Sequence, residues 1–169
     1  METSDILADA FARAAEGVHR ITEGLDADAL AYRPDPDANS IGWLVWHLTR
    51  VHDDHVSEIA GRDQVWVADG WAQRFDLPGE HDDTGYGHTP EQVGAVRPGG
   101  PELLIGYHDA VFGLTREYLE TINPAELDRI IDERWDPPVS VGVRLVSVIE
   151  DQLQHLGQAA YVRGLFERR

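Results

Sequence analysis

Asp151 and His155 stand four residues apart in a stretch, Val141 to Phe166, whose apolar residues recur at three- and four-residue steps. On a helix that spacing raises both side chains from one face on successive turns, a geometry that can chelate one ion. Val148, Ala159 and Val162 share the face, so the pair points toward a bundle interior, where a lone carboxylate needs a cation or hydrogen-bond donors. His47, on the apolar stripe of another helical segment, is the natural third donor. Two imidazoles and one carboxylate suit zinc or nickel, and also iron or manganese, and three protein ligands leave positions open for water or substrate. Spacing alone leaves other readings open: a D-x-x-x-H pair also serves as a charge pair, a satisfied core histidine or a metal-free acid–base pair.

Neighbouring polar residues are weaker candidates. Glu150 lies one residue off the chelating face and reads as a solvated side chain, while Gln158, three residues past His155, suits either a hydrogen bond to that ligand or plain packing. His52 falls about 140 degrees from His47 around a helix and reads as a surface residue; Asp54 and His55, two turns along, could line a pocket mouth. His19, His81 and His108 have no partner pattern and are expected at the surface. The run Thr84-Gly85-Tyr86-Gly87-His88-Thr89-Pro90 could bring substrate-contacting groups over the site, or simply start a short helix. The five tryptophans are expected as core and loop anchors, since no basic groove accompanies them.

Four amphipathic segments must carry these residues. The first runs from about residue 4 to 24, capped by Thr3 or Ser4, with Leu7, Phe11, Ala14, Val18 and Ile21 on one stripe. Ser40 caps a second from Ile41 to Ala60, which Gly61 ends. A third spans Pro101 to Thr121, with proline suited to its first turn, and the fourth starts near Ser140. Between them, residues 62–98 read as a long crossover and 125–139 as an extended run with a turn. With no alternating strand pattern of any length, the expected fold is all-α: a four-helix bundle with long crossover connections.

Composition narrows the function classes. At 169 residues the chain is expected to form one domain, large enough to fold without a metal staple, so any metal should be functional. The net charge of −17 would repel phosphate backbones and anionic lipid surfaces, which excludes nucleic-acid and membrane partners and leaves a small-molecule substrate. All 14 basic residues are arginine, from which no mechanism follows. There is no cysteine, hence no disulfide and no thiol nucleophile of the chain's own. Neither a signal-type N-terminus nor a membrane-length apolar run is visible, and a cytoplasmic location is the expectation.

Two blocks carry a resemblance. The stretch from Ser40 to Val51, SIGWLVWHLTRV, looks like the second helix of DinB/YfiT-like proteins, and His155 to Gly164, HLGQAAYVRG, looks like their last helix. Their order and separation also agree, with the poorest agreement over residues 62–98. The resemblance implies a four-helix bundle, often dimeric, with a metal triad of one histidine on the second helix and an H-x-x-x-H pair on the last. His47 and His155 fill two places; Asp151 stands where a histidine is commoner, as a carboxylate does in the mycothiol-dependent maleylpyruvate isomerase branch. It further implies a metal-dependent transferase or isomerase using a low-molecular-weight thiol such as mycothiol, in line with the absence of cysteine. The competing expectation is a non-catalytic binding or stress-associated protein that keeps a vestigial site.

Overall fold

The computed structural model describes residues 2–169. Four long helices dominate: α1 (Thr3–Thr22), α3 (Ile41–Ala60), α7 (Pro101–Leu119) and α9 (Val141–Glu167). Between them run the short helices α2 (Ala27–Ala31), α4 (Val65–Ala68), α5 (Trp71–Phe75), α6 (Pro90–Ala95) and α8 (Pro124–Leu127). A small antiparallel hairpin joins β1 (Ile130–Asp132) to β2 (Val139–Ser140). No described helix is long and apolar enough to cross a membrane.

The long helices end where local chemistry says they should. Ser40 accepts from the Trp43 amide and Ser140 from that of Val143, each satisfying a first-turn donor that has no helical partner. Gly61 takes the left-handed conformation and stops α3. α1 departs from expectation: its cap is Glu2, which forms a reciprocal box with Asp5, in place of Thr3 or Ser4.

α1 packs on α7 and α9, and α3 packs on the same two, so α1 and α3 face each other across the bundle. Consecutive long helices α1 and α3 are thus diagonal, the arrangement that long connections permit and short turns forbid. Phe11, Val18, Leu44, Leu48, Val111, Leu145 and Val148 are almost fully buried along the shared axis. Trp43, Trp46, Trp66 and Trp71 join the core from α3 and the 61–100 connection, whereas Trp135 is exposed, contrary to the anchoring role expected of it.

That connection is clamped to α3 by a buried ion pair. Arg50 and Asp53, both fully buried, lie 3.5 Å apart. The Arg50 guanidinium donates to the carbonyls of His81 (2.8 Å) and Asp83 (3.0 Å), to Gln64 Oε1 (2.9 Å) and to the Tyr107 hydroxyl (3.1 Å). Asp53 accepts from the backbone amides of Val65 and Trp66 at 2.9 and 2.7 Å, and from Tyr107 and Ser57. With its charges satisfied in this way, the pair escapes the penalty of a bare buried charge and fixes where residues 81–84 lie. Burial, with the Asp53 charge adding to it, drives the Tyr107 phenol well above its usual pKa and keeps it a hydrogen-bond donor.

Candidate metal centre

His47 rises from the middle of α3, while Asp151 and His155 rise from successive turns of α9, the helix most closely packed on α3. One donor atom from each residue falls within 4.8 Å of the other two. The imidazoles of His47 and His155 meet edge to face with centroids 4.7 Å apart, and His155 Nε2 lies 3.4 Å from Asp151 Oδ1. His47 is 5% exposed, and the side chains of His155 and Asp151 retain 18% and 25%, which leaves the group reachable from one side.

Hydrogen bonds decide which nitrogens are free. The Thr84 carbonyl can only accept, so His47 Nδ1 donates to it at 2.5 Å and leaves the Nε2 lone pair uncommitted. Gln158 Oε1 likewise accepts from His155 Nδ1 at 2.8 Å. Both histidines therefore hold the tautomer a metal ligand needs, oriented by a second hydrogen bond. Asp151 Oδ2 is buried and has no hydrogen-bond donor. With His155 neutral, two imidazole lone pairs and a carboxylate converge with no proton donor among them, a donor set that fits a divalent cation.

Electrostatics follow the same geometry. Burial lowers the His47 pKa and the field of His155 adds to it, against an opposing pull from the Thr84 carbonyl and Asp151. For His155, burial again pulls down, but the Asp151 carboxylate 3.4 Å away, the Gln158 hydrogen bond and the charge of Glu150 outweigh it, for a net rise; a divalent ion would take the place of the proton that this favours. The indole of Trp43 stacks on His47 at 4.6 Å and shields it. Trp43 Nε1 donates to His88, which is held in turn by Asp83 at 2.9 Å. A glycine is required at position 85: its φ is +88°, and a Cβ there would sit 2.7 Å from Trp46 and 3.1 Å from His47 Nδ1.

A cleft of about 300 Å³ opens over the group, lined by His47, Asp54, His55, Thr84, Tyr86 and Asp151. Asp54 and His55 thus occupy the mouth position allowed for them, and the Thr84–Pro90 run starts the short helix α6, capped by Thr89, while the Thr84 carbonyl bonds His47. Gln158 takes the hydrogen-bonding role; Glu150 is exposed. His19 is half exposed beside Asp109 and His81 is exposed.

Two expectations fail. His52 and His108 are fully buried, not surface residues. His52 Nε2 pairs with Thr115 Oγ1 at 2.7 Å and stacks on Phe11; His108 Nε2 pairs with Gln152 Oε1 at 3.3 Å. Their partners come from α7 and α9, which no single-helix pattern reveals. The Arg50–Asp53 pair escapes single-helix patterns for the same reason, although a charged pair three residues apart in a mostly apolar run is a usable signal.

Comparison with known proteins agrees with this fold. No curated protein matches the chain. A crystal structure described as the conserved protein of a locus from Enterococcus faecalis is 34% identical, with a TM-score of 0.91 over 100% of this chain and 99% of that one. The family model described as Mycothiol-S-transferase matches residues 6–167. With nearly the whole chain covered, the protein belongs to the mycothiol-S-transferase family, of DinB/YfiT-like fold.

Proposed function

We propose that the protein is a metal-dependent S-transferase that joins the sulfur of a low-molecular-weight thiol, mycothiol in the first instance, to a small electrophilic substrate. His47, Asp151 and His155 would hold one divalent ion, zinc or nickel ahead of iron or manganese. The observation that carries the reading is the buried Asp151 Oδ2, which no donor satisfies, beside two histidines whose free nitrogens face it. A divalent ion held there lowers the pKa of a thiol that meets it toward neutrality.

The chain's own groups would do the rest. Thr84 and Gln158 hold the two imidazoles in their ligating tautomers, Trp43 and Trp46 keep water from the back of the site, and the mouth between Asp54, His55 and Tyr86 admits the reactants. The chain has no cysteine, so the sulfur must come from outside it. Such chemistry belongs in the cytoplasm, where thiols are kept reduced. The test is thiol consumption with alkylating agents and unsaturated diacids as electrophiles. Turnover should need both mycothiol and metal, stop on chelation and return on re-addition. Metal-loaded protein that turns over no thiol would reject the transferase reading in favour of a binding protein.

The protein is further proposed to be a homodimer. α9 exposes Val143, Val146, Leu153 and Tyr161 at 52–67%, a stripe at coiled-coil-like spacing that suits a second copy of the same helix.

A further inference from the structure

A second, larger groove of about 640 Å³ continues from the cleft, and the two share Asp54 and His55 as a common wall. Beyond that wall it is lined by Glu58, Arg62, Asp63, Gln64, Arg134 and Arg144. Resting on the transferase reading above, we propose that this groove binds the uncharged, polyhydroxylated portion of the thiol cosubstrate while the sulfur end occupies the cleft. Mycothiol has that form: N-acetylcysteine joined through an amide to a glucosaminyl-inositol, a thiol at one end and a neutral polyol at the other.

The groove's charges argue for a neutral polyol over an ion. Asp54, Glu58 and Asp63 balance Arg62, Arg134 and Arg144 in a chain whose net charge is −17. All of these charges but the exposed Asp63 are already engaged. Arg134 pairs with Asp132 through two bonds of 2.8–2.9 Å, Arg144 lies 3.4 Å from Glu58 and donates to His55 Nδ1 at 2.7 Å, and Arg62 meets Glu117 at 2.7 Å. Gln64 donates to Asp54 at 2.7 Å while accepting from Arg50. No unpaired cation is left to attract a free anion, and the one unpaired carboxylate, the exposed Asp63, offers acceptors to hydroxyls. Carboxylates and guanidiniums held in this way keep spare lone pairs and N–H groups, alternating acceptors with donors. Hydroxyls, which both donate and accept, match such a wall.

Size and position agree. The groove lies in the range of small-ligand pockets, and with the cleft it accommodates a reacting end and a recognition end side by side. The other large depression, about 820 Å³ between Pro34, Leu44, Tyr161 and Leu165, shares no residue with the cleft and touches the centre only through Gln158.

The experiment compares two thiols on metal-loaded full-length protein: mycothiol, and N-acetylcysteine, which has the same sulfur end without the polyol. Ala68, exposed on the groove wall, is changed to tryptophan to fill it, and Arg134→Ala removes donors from a side chain that is 87% exposed. Losing a charge-assisted hydrogen bond to the polyol should raise KM for mycothiol about tenfold with kcat little changed, and leave N-acetylcysteine kinetics as they were. Equal effects on both thiols, or none on mycothiol, would overturn the assignment. Calorimetric binding of N-acetylglucosaminyl-inositol, which has no sulfur, tests the groove apart from catalysis. Binding lost in Ala68→Trp supports the groove even if no thiol is turned over, and failure of the glycoside to bind the unaltered protein rejects it.

Discussion

The Thr84 carbonyl accepts the Nδ1 proton of His47 at 2.5 Å, so a residue of the long connection between α3 and α7 sets the orientation and tautomer of a candidate ligand in the middle of α3. The next residue, Gly85, packs so closely on Trp46 and His47 that no side chain fits. Gly85→Ala should therefore displace the carbonyl and weaken metal binding about 10- to 100-fold, as loss of an outer hydrogen bond to a ligating histidine does. Gly87→Ala is the control: φ there is +75° but nothing lies within 4 Å, so it should strain the backbone and leave metal affinity nearly unchanged. Competition with a chromophoric chelator measures both.

Arg50 holds the same connection from below. Arg50→Met should leave Asp53 buried without its counter-ion and release the His81 and Asp83 carbonyls, destabilising the protein by about 3–5 kcal/mol in denaturant unfolding. Loss of under 1 kcal/mol would show that the clamp contributes little.

Acid should weaken the fold well before the carboxylates titrate. Burial lowers the pKa of His108 to about 4 and that of His52 well below its usual value, so both are neutral in the folded protein. Unfolded, each takes up a proton near pH 6.5. The stabilising effect is complete above that pH and is lost as the pH falls from 6.5 toward 4, by about 1.4 kcal/mol per pH unit for His108, with His52 adding a loss in the same direction. Unfolding free energies measured across this window should show the slope, and His108→Gln should reduce it.

The exposed stripe on α9 gives a test of assembly. Leu153→Glu, at a site 54% exposed, should convert a dimer to a monomer in light scattering and leave the helical circular dichroism intact. An unaltered monomer in the parent protein would reject the proposed homodimer.

Much of this architecture was legible in the sequence because it is local. Ser40, Gly61, Pro101 and Ser140 mark ends of the long helices through chemistry confined to one turn, and the four-residue step from Asp151 to His155 fixes their common face. The exposed Leu153 shows the limit of that reasoning, since it belongs to the apolar rhythm of α9 but points outward. What stayed hidden depends on partners distant in sequence: Thr84 on His47, Thr115 on His52, Gln152 on His108, and the Arg50 clamp on residues 81–83. The short helices α2, α4 and α5 were also missed, being four or five residues long and held by packing more than by periodicity.

Elemental analysis of untagged protein purified without chelator decides whether His47, Asp151 and His155 hold a divalent ion. Close to one equivalent of metal per chain is expected, lost in His47→Ala and in His155→Ala, retained in Asp151→His, and unaffected by His55→Ala at the cleft mouth. Protein that is folded yet carries no metal, and takes up neither zinc, nickel nor manganese on titration, would contradict it.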